Sequence, residues 1–392
     1  MPRSRIRWRA PFVAPFVVGF VAAGCHEPAA QAPALAVQSS IEAEAFGALV
    51  DRISEPPGYF DTDNLISNET GYLKVMDSLA ERELGAGAYI GVGPDQNYSY
   101  IAELDPSVAF IVDVRRDNAL HHLLLKSLIE MSPTRVEFLS LLHGVEPPPE
   151  PPQWEGADIE EIVEYVDAAW EAQRLTADGA QGGDTWRETL QERVQAKVSE
   201  YGVPLSTDDL ATIRRFHATF MREGLSLRFS TFGRPPRPYY PTYRQLVLET
   251  DMDGDRVSYL ATPERYRTVR ELHLANRIVP VVGDLAGEHA IREVGKVLGE
   301  MGTTLDVVYA SNVEFYLWRS GSFDDWVANL ASVPATPGSV VIRSYFSNFG
   351  RAHPSSVPGY YATQSLQPLS TLVDGGFESF WDVVTRDVVP LR

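Results

Sequence analysis

The amino-acid sequence predicts an α/β protein in which a doubly wound, mostly parallel sheet is interrupted by a helical insertion. Three observations predict it: five short, near-continuous apolar runs, helical patterns between them, and a gap of over 100 residues, opened by a Pro-rich stretch, between the second and third runs. Apolar runs without alternation suit strands buried on both faces, the condition of a parallel sheet covered by helices.

The elements follow in order. The first run, Ala88-Tyr89-Ile90, leads into Gly91-Val92-Gly93-Pro94-Asp95-Gln96-Asn97. The second, Val108 to Val112, ends at Asp113, after which Leu120, Leu123, Leu124, Leu128 and Met131 fall at helical spacing with Asp117 expected as the N-cap. Glu146 to Pro152 (EPPPEPP) is a stiff segment that neither a helix nor a central strand tolerates. Helical patterns then run over roughly 159–175, 186–201 and 207–223, the first two separated by a Gly/Asp-rich break near 178–184. Residues 145–245 are therefore expected to form an insertion packed over the binding edge of the sheet, either as a lid or as a structural appendage. The third run, Ile278 to Val282, ends in Gly283-Asp284, and the helix after it carries Ile291, Val294, Leu298 and Met301 on one face. The fourth, Leu305 to Ala310, ends in Ser311-Asn312-Val313-Glu314, and the fifth is Val340-Val341-Ile342. Residues 41–144 and 246–392 are the expected two parts of the sheet domain.

Composition agrees with a globular chain. The 392 residues are 44% hydrophobic, with 17 Phe, 17 Tyr and 7 Trp, enough for a sizeable core. The formal charge of −19, with 34 basic residues scattered among 53 acidic ones, argues against nucleic acid as a partner. Lysine is scarce, occurring only at Lys74, Lys126, Lys197 and Lys296.

The N-terminus has the layout of an export signal: Arg3, Arg5, Arg7 and Arg9 precede an apolar run from Ala10 to Ala23 that is too short to span a bilayer comfortably. The run ends Val21-Ala22-Ala23-Gly24-Cys25, which resembles the bacterial lipoprotein box, with Ala22 where Leu is usual. The resemblance implies a signal peptide over 1–25, lipidation of Cys25 and a lipid-anchored protein of the bacterial envelope, touching membrane only through that anchor. Loss of the four arginines would take the formal charge from −19 to −23. Residues 26–40, rich in Ala, Pro, Gln and Ser, suit a flexible tether. Cys25 is the single cysteine, so neither a disulfide nor a Cys-based metal site is open to the chain.

Chemistry is expected at the carboxyl ends of the strands. In an open parallel sheet a ligand sits near the point where strand order reverses, where a Gly-rich turn lets backbone approach it. Gly91 and Gly93 stand at such a turn, Asp113 follows Gly93 by twenty residues at the end of the next strand, Asp284 ends the third strand, and Asn312 and Glu314 follow the fourth. Each alone equally suits a tight turn or a helix cap. Together they predict a small-molecule site on one rim.

The succession GVGP, VDVRR, VVGD and YASNVE resembles the strand-end motifs of Rossmann-like S-adenosylmethionine-dependent methyltransferases, and is similar in layout to a group of bacterial methyltransferase-like proteins. It covers roughly Leu65 to Phe349, including Ile66-Ser67-Asn68-Glu69-Thr70. The resemblance implies S-adenosylmethionine as cofactor: the Gly91–Asn97 loop, including Asp95 and Asn97, at the methionine part, Asp113 on the ribose, Asp284 with Leu285 around the adenine. Asn312, with Glu314 beside it, would face the methyl acceptor. Two positions depart from the motif: Tyr89 stands where an acid usually precedes the glycines, and Asp95 where a third glycine is usual.

Other chemistries fit less well. Gln96 in place of the last glycine of GxGxxG sets a nicotinamide dinucleotide behind S-adenosylmethionine, and Arg115 and Arg116 are expected in salt bridges rather than on a 2′-phosphate. Asp251 to Asp255 begins like a calcium loop but has Arg256 and Thr262 at the glycine and glutamate positions. His121 and His122 are adjacent and point to different faces of a helix expected to be half-buried, and Gly295-Lys296 is followed by Val297. Tyr239 to Tyr243 is either a stacking loop or a packed connection. An exported protein would stand outside the compartment that holds S-adenosylmethionine, so a non-catalytic envelope binding module that keeps the fold is the alternative function.

Overall fold

The computed structural model describes residues 40–391 except 63, 83, 178–182, 235–236 and 347–349. The expected signal peptide, Cys25 and all but the last residue of the expected tether lie outside the described residues. Among the described residues no helix is long and apolar enough to cross a membrane.

The chain is α/β, with a mostly parallel mixed sheet flanked by helices. The strands are β1 (Ala88–Gly91), β2 (Val108–Asp113), β3 (Ile278–Val282), β4 (Leu305–Ser311), β5 (Ala335–Phe346) and β6 (Ala362–Pro368), in the order β3-β2-β1-β4-β5-β6. All neighbouring pairs are parallel except β5 and β6, which run antiparallel with Ile342 opposite Leu366. Strands β1 to β4 are buried almost without interruption, which is why they read as unbroken apolar runs. The fifth strand is longer than its apolar centre because Ser339, Arg343 and Ser344 are also buried in it. Its neighbour β6, with the sequence ATQSLQP, carries too many polar residues to stand out as a buried strand.

The helices are α1 (Ala43–Ile53), α2 (Met76–Ala80), α3 (Asn97–Leu104), α4 (Arg116–Met131), α5 (Arg135–Leu142), α6 (Ile159–Ala177), α7 (Gly183–Ser199), α8 (Thr207–Glu223), α9 (Tyr243–Val247), α10 (Pro263–Leu274), α11 (Ala290–Met301), α12 (Val313–Ser320), α13 (Phe323–Ala331), α14 (Leu369–Asp374) and α15 (Phe380–Thr385). Helices α3, α4 and α10 pack on one another, as α11, α13 and α14 do. The strand order reverses between β1 and β4.

Two expectations are corrected. The N-cap of α4 is Arg115, and Asp117 lies one residue inside the first turn, where its charge favours the helix dipole without capping. The insertion's helices do not cover the strand ends: α6 lies on α5, while α7 and α8 lie on α4, forming an outer layer. That layer also buries α4 on the side the sequence left half-exposed, so His121 and His122 are both about 1% exposed.

Candidate functional site

A pocket of about 360 Å³ opens at the carboxyl ends of the strands, where strand order reverses. This falls within the usual volume range of small-molecule sites. Its walls come from Val92 and Gly93 after β1, Asp113 on β2, Asp284 and Leu285 after β3, and Ser311 and Asn312 at the end of β4. Phe60, Glu69, Phe229, Arg234, Arg237 and Tyr240 are also among the lining residues. The insertion therefore reaches the site through Phe229, Thr231, Arg234, Arg237 and Tyr240, which follow α8, and not through its helices.

The glycine loop is held by its own side chains. Asn97 donates from Nδ2 to the carbonyls of Val92 (2.9 Å) and Pro94 (2.7 Å) and accepts at Oδ1 from the Tyr89 hydroxyl (2.8 Å). Tyr89 thus fixes Asn97, a role internal to the loop where the motif has an acid. Gly91 faces this staple: a Cβ there would overlap Asn97 Oδ1 and the Tyr89 ring. Gly93 has φ of +83°, which a side chain strains, and its carbonyl accepts a hydrogen bond from His122 Nε2 at 2.8 Å. His122 Nδ1 lies 2.7 Å from the Tyr98 hydroxyl, and burial pushes the pKa of the ring down to about 4. Asp95 turns away from the pocket into a buried pair of hydroxyls, accepting from Tyr243 (2.9 Å) and Tyr259 (3.0 Å). Burial lifts its pKa to about 6.

Among the residues the sequence singles out, Gly93, Asp113, Asp284, Leu285 and Asn312 converge on the pocket. Gly91, Asp95, Asn97 and Glu314 do not line it. Asp113 is gripped by Arg115, through the backbone N–H (2.9 Å) and Nε (3.0 Å) on Oδ1 and through Nη2 (2.7 Å) on Oδ2. Arg115 also donates to the Thr62 carbonyl (2.8 Å), tying β2 to the overlying segment. Arg116 pairs with Asp209 of α8, so both arginines serve in salt bridges. Asp284 lies exposed at the rim, its Oδ1 accepting the Ala286 N–H at 2.9 Å. Glu314, expected beside the methyl acceptor, is instead sequestered beneath α12, where it pairs with Arg343 (2.5 Å) at 1–2% side-chain exposure and accepts from Trp326. A buried guanidinium on β5 needs a carboxylate more than the pocket does.

Glu69 is the residue that sequence reasoning left without a role. It lines the pocket while 1% exposed, and its carboxylate accepts from Tyr309 and Ser311 of β4, Ser344 of β5 and Gln364 of β6. Four hydroxyl and amide donors from three strands make it the floor of the site. Ser311 holds this contact from a left-handed backbone, φ +50°, which is uncommon without glycine, and the lining residue Asn64 is also left-handed, at φ +52°. The signal available in sequence was the polar Ser67-Asn68-Glu69-Thr70 after Ile66, but the partners of Glu69 on β4 and β5 lie 240 to 275 residues away.

Asp251 closes a small turn by accepting from the N–H groups of Asp253 and Asp255, and among the described residues no group of three or more His, Cys, Asp or Glu is placed to hold a metal ion. Tyr239 to Tyr243 splits between the two expectations: Tyr240 lines the pocket, whereas Tyr243 is buried on Asp95.

Fold and pocket together define an α/β protein with a pocket at its strand ends. The chain belongs to the family described as domain of unknown function (DUF7790), whose model matches residues 65–147 and 184–375. The match spans the sheet, the pocket residues from Ser67 onward and helices α7 and α8, and omits α6 and all but the start of the Pro-rich stretch. No curated protein matches the sequence.

Proposed function

We propose that the protein is Rossmann-like and binds S-adenosylmethionine or a closely similar adenosyl ligand in the strand-end pocket, as a methyltransferase-like protein. The observation that carries this reading is the convergence of Gly93, Asp113, Asp284-Leu285 and Asn312, from the ends of four strands, on one pocket of suitable size. In that arrangement the Gly93 turn approaches the methionine part, Asp113 accepts from the ribose hydroxyls alongside Arg115, Leu285 packs on the adenine and Asp284 meets its edge. Asn312 stands nearest the acceptor side. Methyl transfer needs chiefly alignment of donor and acceptor, so a pocket without histidine is compatible with it.

Calorimetric titration of residues 26–392 with S-adenosylmethionine tests the reading. Saturable micromolar binding, weakened at least tenfold by Asp113→Ala, is expected; no binding at millimolar ligand would sink it.

A second reading, a non-catalytic ligand-binding module, is favoured by Glu314, whose pairing with Arg343 removes a carboxylate from the acceptor side. Mass spectrometry for a methylated product separates the two. The same module is proposed to be exported and lipid-anchored through Cys25. Cys25→Ser is expected to abolish lipid labelling, and an unlabelled native protein would overturn the anchor.

A further inference from the structure

The pocket sorts its charges unevenly. Of its lining carboxylates, Asp61 pairs with Arg234, Asp113 pairs with Arg115, and Asp284 is exposed to solvent. Glu69 alone among them is buried and has no cation within ion-pair distance among the described residues. Its two oxygens are also unequal: Oε2 takes three internal hydrogen bonds, from Tyr309, Ser344 and Gln364, whereas Oε1 takes one, from Ser311. A carboxylate can accept about four, two on each oxygen. Neutral hydroxyls and an amide orient the group but supply no countercharge, and a buried charge without one is costly to keep. The contrast within this chain is Glu314, equally buried and fully matched by Arg343. The cost at Glu69 is accepted where the missing charge arrives with a ligand.

We infer that Glu69 is the cation-receiving group of the pocket: its Oε1 edge, oriented by Ser311 from the strained end of β4, takes the positively charged sulfonium or ammonium part of the ligand. The inference rests on the reading of the pocket as an adenosyl-ligand site and adds to it a preference for charge. Uncharged adenosine is then a weaker ligand than S-adenosylmethionine by the contribution of Glu69.

The test compares wild type, Glu69→Gln and Glu69→Asp by titration with S-adenosylmethionine and with adenosine, together with ligand-free thermal unfolding. Wild type is expected to prefer S-adenosylmethionine at least tenfold. Glu69→Gln is expected to remove most of that preference, leave adenosine affinity within about threefold, and leave the ligand-free melting temperature unchanged or higher, because an uncompensated charge has gone. Glu69→Asp is expected to retain part of the preference. Equal losses for both ligands in Glu69→Gln, or an undiminished preference, would overturn the inference and leave the adenosyl reading standing. If wild type binds neither nucleoside, the adenosyl reading falls and trimethylsulfonium decides the charge assignment. Its millimolar binding, lost in Glu69→Gln, upholds the inference, and its failure to bind overturns it.

Discussion

At the scale of single residues the site is a set of constraints that side chains impose on backbone. Gly93 is the clearest: at φ +83° an alanine is strained, and Gly93→Ala is expected to cost about 1–2 kcal/mol of unfolding free energy in denaturant titration and to weaken ligand binding as the turn shifts. Glu314 illustrates the opposite lesson. Its place after the fourth strand in YASNVE suggested the acceptor side, but the side chain is committed to Arg343. Glu314→Gln is expected to destabilise by about 3–5 kcal/mol, because it leaves a buried guanidinium unmatched, and to leave the affinity of the remaining folded protein unchanged. A loss of affinity with no loss of stability would return Glu314 to the site. Asp113 and Asp284 were legible because an acid at a strand end has a simple local signature. Glu69 was not, since its meaning depends on hydroxyls from β4 and β5 and an amide from β6 that only the assembled sheet brings together.

At the scale of elements, apolar runs located five strands and helical spacing located the insertion's helices, because both patterns are written in consecutive residues. The position of those helices was not written locally. Helix α8 begins with a capping box, Ser206 accepting from the Asp209 N–H while Asp209 accepts from the Ser206 N–H, and Asp209 also holds Arg116 of α4. Ser206→Ala is expected to lower stability by about 1 kcal/mol with no change in ligand affinity, since α8 does not line the pocket. A matching fall in affinity would mean that the outer helices act on the site after all. By contrast Tyr240, on the stretch after α8, lines the pocket, and Tyr240→Ala is expected to speed ligand release in stopped-flow measurements. An unchanged off-rate would remove that stretch from the cover.

At the scale of the whole molecule, five histidines are buried in the layers on and around α4, and burial depresses them all: His122, His143 and His217 to about 4, His121 and His273 well below 6.5. Each binds a proton in the unfolded chain near pH 6.5 but not in the folded one, so the unfolded state holds more protons as pH falls and stability falls with it. Each contributes a slope of about 1.4 kcal/mol per pH unit between 6.5 and the folded value. Asp95 acts in the other direction. Its folded pKa of about 6 lies above the ordinary carboxyl value of 3.8, so its contribution is full below 3.8 and is lost as pH rises through 6, offsetting about one histidine in that window. Unfolding free energy followed from pH 7 to 4 is therefore expected to decline steeply, and a flat profile would mean that these rings are hydrated or charged in the folded protein.

What the sequence by itself determined is the alternation of buried strands and helices, the polar residues that end each strand, and the place in the chain where the insertion interrupts them. These follow from periodicity and from the local chemistry of turns. What only the tertiary structure decided is which of those polar residues share a pocket, that Asn97 and Asp95 turn inward to hold the loop, that Glu314 is spent on Arg343, and that Glu69 lies at the floor with no cation in ion-pair distance among the described residues. A side chain's role depends on what is brought within hydrogen-bonding distance: Asn97 finds its partners in its own loop and Glu314 finds Arg343 29 residues on, but the partners of Asp95 and Glu69 lie 148 to 295 residues away along the chain.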